Sequence, residues 1–185
     1  MTRSLFMLDL CAGMGGASAA MKARGWRVVT VELCADLTPD IVADVRDFCW
    51  TGERPDLVWA SPVCTEYSRL VKPASWAKTW KTPINPHPDQ SLWKACERVI
   101  AECKPRYWII ENVCGAQRVH GKAATHFGSR YLWGNFPRID APAEFGKWRL
   151  PPSPDRTRLR SKIPYSLSLG VCVAIECAIP FGEKE

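Results

Sequence analysis

The chain has 185 residues, 46% of them hydrophobic, and a mean hydropathy of −0.17. That is enough for one domain with its own core, and no run approaches the roughly 20 apolar residues that span a bilayer, so a cytoplasmic, non-membrane protein is expected. Nine cysteines form an odd, scattered set without a CxxC pair, which argues against a zinc framework or any other bound metal and for free thiols in a reducing compartment. The first apolar run, Leu5 to Leu8, is a strand candidate, and Ala17 to Arg24 is an alanine-rich helix. Arg27 to Val31 and Asp56 to Ala60 read as further strands. Gln90 to Cys103 has helical spacing through Leu92, Ala95, Val99, Ile100 and Cys103, with Pro105 as its stop. Tyr107 to Ile110 has the unbroken apolar pattern of a buried strand. Tyr131 to Gly134 is a strand of a hairpin, Pro151 to Pro154 a linker, and Tyr165 to Ala178 a closing helix.

Strand, helix, strand, strand, helix, strand in that order predicts parallel pairing through crossovers, hence a single-domain α/β chain with a doubly wound, mostly parallel, Rossmann-like sheet. Ligands of such sheets lie beyond the carboxyl ends of the strands. Asp9-Leu10-Cys11-Ala12-Gly13-Met14-Gly15-Gly16 ends the first strand with a glycine turn that lets backbone amides approach a ligand. Glu32 ends the second strand, where an acid can bond ribose hydroxyls. The spacing is GxGG rather than GxGxxG, which favours a smaller adenosine ligand over a nicotinamide dinucleotide. Cys64 and Glu111 each follow an apolar run, a pairing that suggests a covalent nucleophile and an acid aimed at one ring.

The formal net charge is +6 and the pI about 8.9, a balance that favours phosphate-bearing partners. Arg69, Lys72, Lys78 and Lys81 gather around Trp76 and Trp80, and Arg156, Arg158, Arg160 and Lys162 form a second group; both read as loops or loop–helix junctions. The tryptophan stretch is a candidate lid over a substrate.

With these residues in this order, the chain resembles the cytosine C5-methyltransferases that use S-adenosylmethionine. The matching segments are Asp9 to Gly16, Glu32, Asp44-Val45, Ser61 to Ser68, Glu111-Asn112-Val113, Arg156-Thr157-Arg158 and Lys162-Ile163-Pro164. The resemblance implies that Asp9, Leu10, Cys11, Ala12, Gly13, Gly15, Gly16, Glu32, Asp44, Val45 and Pro62 serve S-adenosylmethionine. It implies Cys64 as the nucleophile on cytosine carbon 6 and Glu111 as the acid at ring nitrogen 3. Asn112 would hold the loop, and Arg158, with Arg156 beside it, would meet the ring oxygen.

Three departures from the family pattern stand out. Pro62-Val63 replaces a pair of prolines before the nucleophile, Cys11 stands where an aromatic residue is common, and Pro154 or Asp155 stands in place of glutamine ahead of the arginines. Arg158 and Pro164 are nearly adjacent, which leaves no room for a separate target-recognition region. The expected partner is therefore DNA, modified by a compact, phage-like enzyme through loops 68–88 and 114–152, the second carrying Arg118, His120, Lys122, His126, Arg130 and Trp133. Free cytidine nucleotides or single-stranded nucleic acid form a second expectation, and a non-catalytic relative that binds cofactor or nucleic acid a third. No obligate protein partner is expected.

Overall fold

The computed structural model describes residues 4–68, 87–140 and 156–179, the side chains of 156–158 excepted. The elements are β1 (Phe6–Leu10), α1 (Ala19–Ala23), β2 (Arg27–Glu32), β3 (Ile41–Val42), β4 (Leu57–Ala60), α2 (Ser91–Cys103), β5 (Tyr107–Asn112), α3 (Gln117–His120), β6 (Thr125–Phe127), β7 (Arg130–Asn135), α4 (Arg156–Ser161) and α5 (Tyr165–Ala178). Arg69 to Lys81, Trp76 and Trp80 among them, lie outside the described residues, as does the Pro151 to Pro154 linker.

One seven-stranded sheet runs β3-β2-β1-β4-β5-β7-β6. The first five strands in chain order pair in parallel, and the β6–β7 hairpin returns antiparallel beside β5. This is the doubly wound, mostly parallel sheet expected from the alternation of apolar runs and helical segments. β1 and β4 are buried along their whole length, because helices or loops cover both faces and neither face is left to water.

Alternation along each strand sorts the core into two layers. Phe6, Leu8, Leu10, Val58, Ala60 and Ile110 face α2, whose Trp93, Cys96, Val99, Ile100 and Cys103 recur at helical spacing. Met7, Leu57, Trp59 and Ile109 face α1 and α5. No crossover helix stands between β3 and β4; instead Val45 and Phe48 cover that part of the sheet. Arg98 of α2 fastens this segment by donating from Nη2 to the carbonyls of Val45 (3.1 Å) and Phe48 (2.8 Å). The Arg156 to Lys162 group, expected in a loop or junction, is mostly helix α4, and the helix expected over Ala17 to Arg24 is shorter, at Ala19–Ala23.

The α1–α5 contact turns on one hydroxyl. Ser168 Oγ donates to the Ala17 carbonyl (2.5 Å) and accepts from the Ala20 amide (3.0 Å), with no exposure to solvent. At the rim, Arg24 and Trp26 both donate to Glu176. No helix among the described residues is long and apolar enough to cross a membrane.

Ser168→Ala leaves a buried carbonyl and a buried amide without their partner. A loss of about 1–3 kcal/mol is expected, measured as a lower urea midpoint at unchanged m-value; an unchanged midpoint would show that water replaces the hydroxyl.

Candidate active site

The strand order reverses between β1 and β4, which opens a crevice at their carboxyl ends. Three chemically capable segments lie at this end of the sheet: the glycine turn after β1, the Ser61–Cys64 stretch after β4, and Glu111-Asn112 closing β5.

In the glycine turn, Ala12 donates to the Val31 carbonyl (3.2 Å) and Gly15 to the Ala12 carbonyl (2.9 Å). Gly13 (φ +53) and Gly15 (φ +65) adopt left-handed conformations that L side chains rarely tolerate, and a Cβ on either would meet nothing within 4 Å. The turn is thus tight in its backbone and open above it. Gly16 has a different reason to be glycine: a Cβ there would lie 2.6 Å from the Ile163 carbonyl oxygen. Glu32 accepts from the amides of Gly13 (2.9 Å), Leu33 (2.9 Å) and Cys34 (3.1 Å), which places its carboxylate against the turn. A glycine turn with open space above it and an acid at its edge fits the adenosine end of S-adenosylmethionine.

The other cofactor candidates divide. Leu10 is fully buried core, and Val45 packs in the same layer. Cys11 is half-buried at φ +54, and its hydrogen bond with Cys96 of α2, reinforced by burial, pushes its thiol well above the ordinary range. Asp44 forms an ion pair with Arg46 (2.6 Å). Pro62 is buried, and its carbonyl accepts from Asn112 Nδ2 (2.9 Å), so Asn112 ties the end of β5 to the stretch leading to Cys64.

Asp9 is completely buried beside the Ser18 hydroxyl, and neither of its oxygens makes a hydrogen bond of full geometry. Burial pushes its carboxyl up to about 7, against the smaller pull of Ser18 and Lys22 and with a small push from Glu32.

Cys64 is half-buried and opens a 3₁₀ turn over Thr65–Tyr67. Burial raises its thiol above the ordinary 9.0, Glu111 raises it further, and Arg130 lowers it. Glu111 is 5% exposed. Burial lifts its carboxyl, opposed by the Arg130 charge and by hydrogen bonds from Arg130 and Ser61.

Arg130 is the site residue that sequence reasoning placed only in a basic loop. Because β5 and β7 pair with Glu111 opposite Leu132, Arg130 lies two residues along β7, on the diagonal that long side chains reach. Its guanidinium meets Glu111 Oε1 at 3.4 Å, with the two side chains only 14% and 6% exposed. The Arg158 side chain lies outside the described ones, and among the described arginines it is Arg130 that is ion-paired with Glu111.

The Cys64 turn is braced on its far side. Tyr67 Oη is 2.9 Å from His120 Nε2, and the His120 ring stacks on Trp93 at 3.7 Å with 6° between planes. Trp93 meets Trp133 edge-on, and burial lowers the His120 pKa, which favours the neutral ring. No group of three or more metal-ligating residues occurs among the described residues.

The buried Asp9 carboxyl has a consequence for stability. Its folded pKa of about 7 lies above its ordinary 3.8, so ionisation favours the unfolded chain, and the stability it withholds grows as pH rises between those values and is constant above them. Asp9→Asn should therefore gain in thermal midpoint over the parent across that interval and hold a constant advantage beyond it. Parallel pH profiles for the two proteins would show that Asp9 does not titrate in this range.

No family model and no curated protein matches the chain. Among solved structures it is similar to a DNA modification methyltransferase encoded within an Escherichia coli prophage, at 20% identity and TM-score 0.45, over 63% of this chain and 34% of that one. It is also similar to the Dnmt2 methyltransferase of Schizosaccharomyces pombe, at 17% identity and TM-score 0.39, over 62% and 36%. A third is the glycopeptide N-methyltransferase MtfA complexed with S-adenosyl-L-methionine, at 18% identity and TM-score 0.37, over 60% and 46%. The chain thus spans about a third of the first two structures and under half of the third.

Proposed function

We propose that this chain is a cytosine C5-methyltransferase that uses S-adenosylmethionine and acts on DNA. The observation that carries the reading is the buried Arg130–Glu111 pair, whose two charges both act on the half-buried Cys64 thiol at the ends of neighbouring strands.

Cytosine carbon 5 is a poor nucleophile until a thiolate adds to carbon 6. Cys64 forms that carbon–sulfur bond after giving up its proton, and the electron pair of the 5,6 double bond moves into the ring. Glu111 is aimed at ring nitrogen 3, where the charge collects; burial lifts its carboxyl, which favours sharing a proton there, while the Arg130 charge opposes that lift. Arg130 supplies the fixed cation beside it. The turn from Asp9 to Gly16 and the Glu32 carboxylate would hold S-adenosylmethionine, which supplies an electrophilic methyl group when bound. Loss of the carbon 5 proton then releases the thiolate and restores the ring.

DNA as substrate is supported by charge. From Asn112 to Ile139 the chain has no Asp or Glu. Of the basic and aromatic residues expected to touch nucleic acid there, His120 and Trp133 belong to the aromatic brace and Arg130 turns inward to Glu111. Arg118, Lys122 and His126 are exposed, close in sequence to the site. If Arg130 meets the ring oxygen in place of Arg158, the interval in which relatives carry a target-recognition region becomes 131–164. Those residues and loop 68–88 would then read the substrate.

Transfer of labelled methyl from S-adenosylmethionine to duplex DNA, single-stranded DNA, RNA and cytidine nucleotides tests the reading. Cys64→Ala is expected to abolish label in DNA without changing cofactor affinity, and Glu111→Gln to slow transfer by about 10²- to 10⁴-fold. Turnover retained by Cys64→Ala would remove the covalent route, and label confined to nucleotides would replace the DNA substrate. Duplex affinity should also fall by about 0.9 log units per log unit of salt for each phosphate contact. Combined Arg118→Ala and Lys122→Ala should flatten that slope by nearly 2; an unchanged slope would place the phosphates elsewhere.

A further inference from the structure

We infer that Gly16 is a positioning residue for Arg130, acting through the backbone of Lys162 and Ile163 where α4 passes into α5. It thereby joins the cofactor turn to the acid and the thiol. The inference takes the roles of Glu111 and Cys64 from the proposed function, but the contacts that carry it are independent of any turnover.

Arg130 reaches Glu111 with one nitrogen and the α4–α5 junction with the other. Nη1 meets Glu111 Oε1 at 3.4 Å, while Nη2 donates to the Lys162 carbonyl at 3.1 Å and to the Arg160 carbonyl. A guanidinium is a rigid planar fork, so its Glu111 end goes where the two carbonyls put its other end. Those carbonyls belong to a segment pressed against Gly16. A Cβ at residue 16 would lie 2.6 Å from the Ile163 oxygen, 2.7 Å from the Ile163 nitrogen and 2.8 Å from Lys162 Cγ. Backbone atoms cannot rotate away as a side-chain tip can, so a methyl group there must push the junction outward.

The junction has little freedom to yield in another direction. Ile163 is 5% exposed in the layer formed with α1 and α5. A few residues on, the Ser168 hydroxyl fixes α5 to the Ala17 carbonyl and the Ala20 amide. Outward displacement at 162–163 therefore draws Arg130 from Glu111, and a contact already at 3.4 Å has no slack to absorb it. The charge that holds the Cys64 thiol down would move away with it.

The test uses the full chain and reads thiol ionisation. Alkylation of Cys64 by iodoacetamide is followed across pH by peptide mass spectrometry, which resolves it from the other cysteines; the thiolate is the species that reacts. Arg130→Met removes the cation, and Cys64 should react roughly three- to tenfold more slowly near neutral pH. Gly16→Ala should slow it in the same direction, and the double variant should be no slower than Arg130→Met alone, because both changes remove one interaction. Gly25→Ala strains a positive-φ turn elsewhere, where a Cβ meets nothing within 4 Å, and should leave the rate unchanged. Lys162→Gly loosens the carbonyl that holds Arg130 without crowding the core and should also slow alkylation, which decides the matter if Gly16→Ala does not fold. Parental reactivity in folded Gly16→Ala or Lys162→Gly, additive slowing in the double variant, or equal slowing by Gly25→Ala would overturn the inference.

Discussion

A carboxylate and a guanidinium held together out of water organise this site. A buried ion pair loses hydration on both partners and survives only when geometry and further hydrogen bonds offset that loss. Here Arg130 gains two backbone carbonyls in addition to Glu111, and Glu111 gains Ser61 as well as Arg130. Meeting those demands requires β7 to lie antiparallel beside β5, the α4–α5 junction to face it, and the stretch after β4 to end where Ser61 reaches. The arrangement of three chain segments follows from keeping one charge pair satisfied.

The same end of the sheet holds a second acid treated in the opposite way. Asp9 precedes the glycine turn with neither oxygen in a hydrogen bond of full geometry and is lifted to about 7, whereas Glu32, at the turn's edge, accepts three amides. Glu32 therefore shapes the turn through directed bonds, and Asp9 sits before it at a cost in stability that depends on protonation. Natural chains retain such unsatisfied groups most often where function imposes them. Asp9 is buried at the end of β1, just before the glycine turn in which a Cβ on Gly13 or Gly15 would meet nothing within 4 Å.

Most of the sheet was legible because a parallel strand buried on both faces writes a continuous apolar run into the chain. Leu5 to Leu8, Leu57 to Ala60 and Tyr107 to Ile110 announce themselves this way. Ile41–Val42 and Thr125–Phe127 do not, since strands this short carry no period and exist only through the neighbour they pair with. Cys64 and Glu111 were visible for the same reason as their strands: each follows a run whose end marks the crevice. Arg130 was not, because its role is set by register across an antiparallel pair, and register depends on a partner far along the chain. The family resemblance directed attention to Arg158, whose side chain lies outside the described ones. Gly16 illustrates the converse limit: its place in the glycine run suggests ligand contact, while the atom nearest to its missing Cβ belongs to Ile163.

The electrostatics of the thiol follow from this arrangement. A nucleophilic cysteine that rests as an exposed thiolate is open to oxidation and adventitious alkylation. Cys64 is protected by burial and by Glu111, both of which keep it protonated, and Arg130 alone among the named charges opposes them. The balance is sensitive to anything that changes the charge on Glu111. A more anionic Glu111 raises the thiol further, so the opposing cation has to stay in place. Rigid anchoring of Arg130 by backbone carbonyls, which cannot titrate or change rotamer, meets that requirement in a way that a side-chain partner would not.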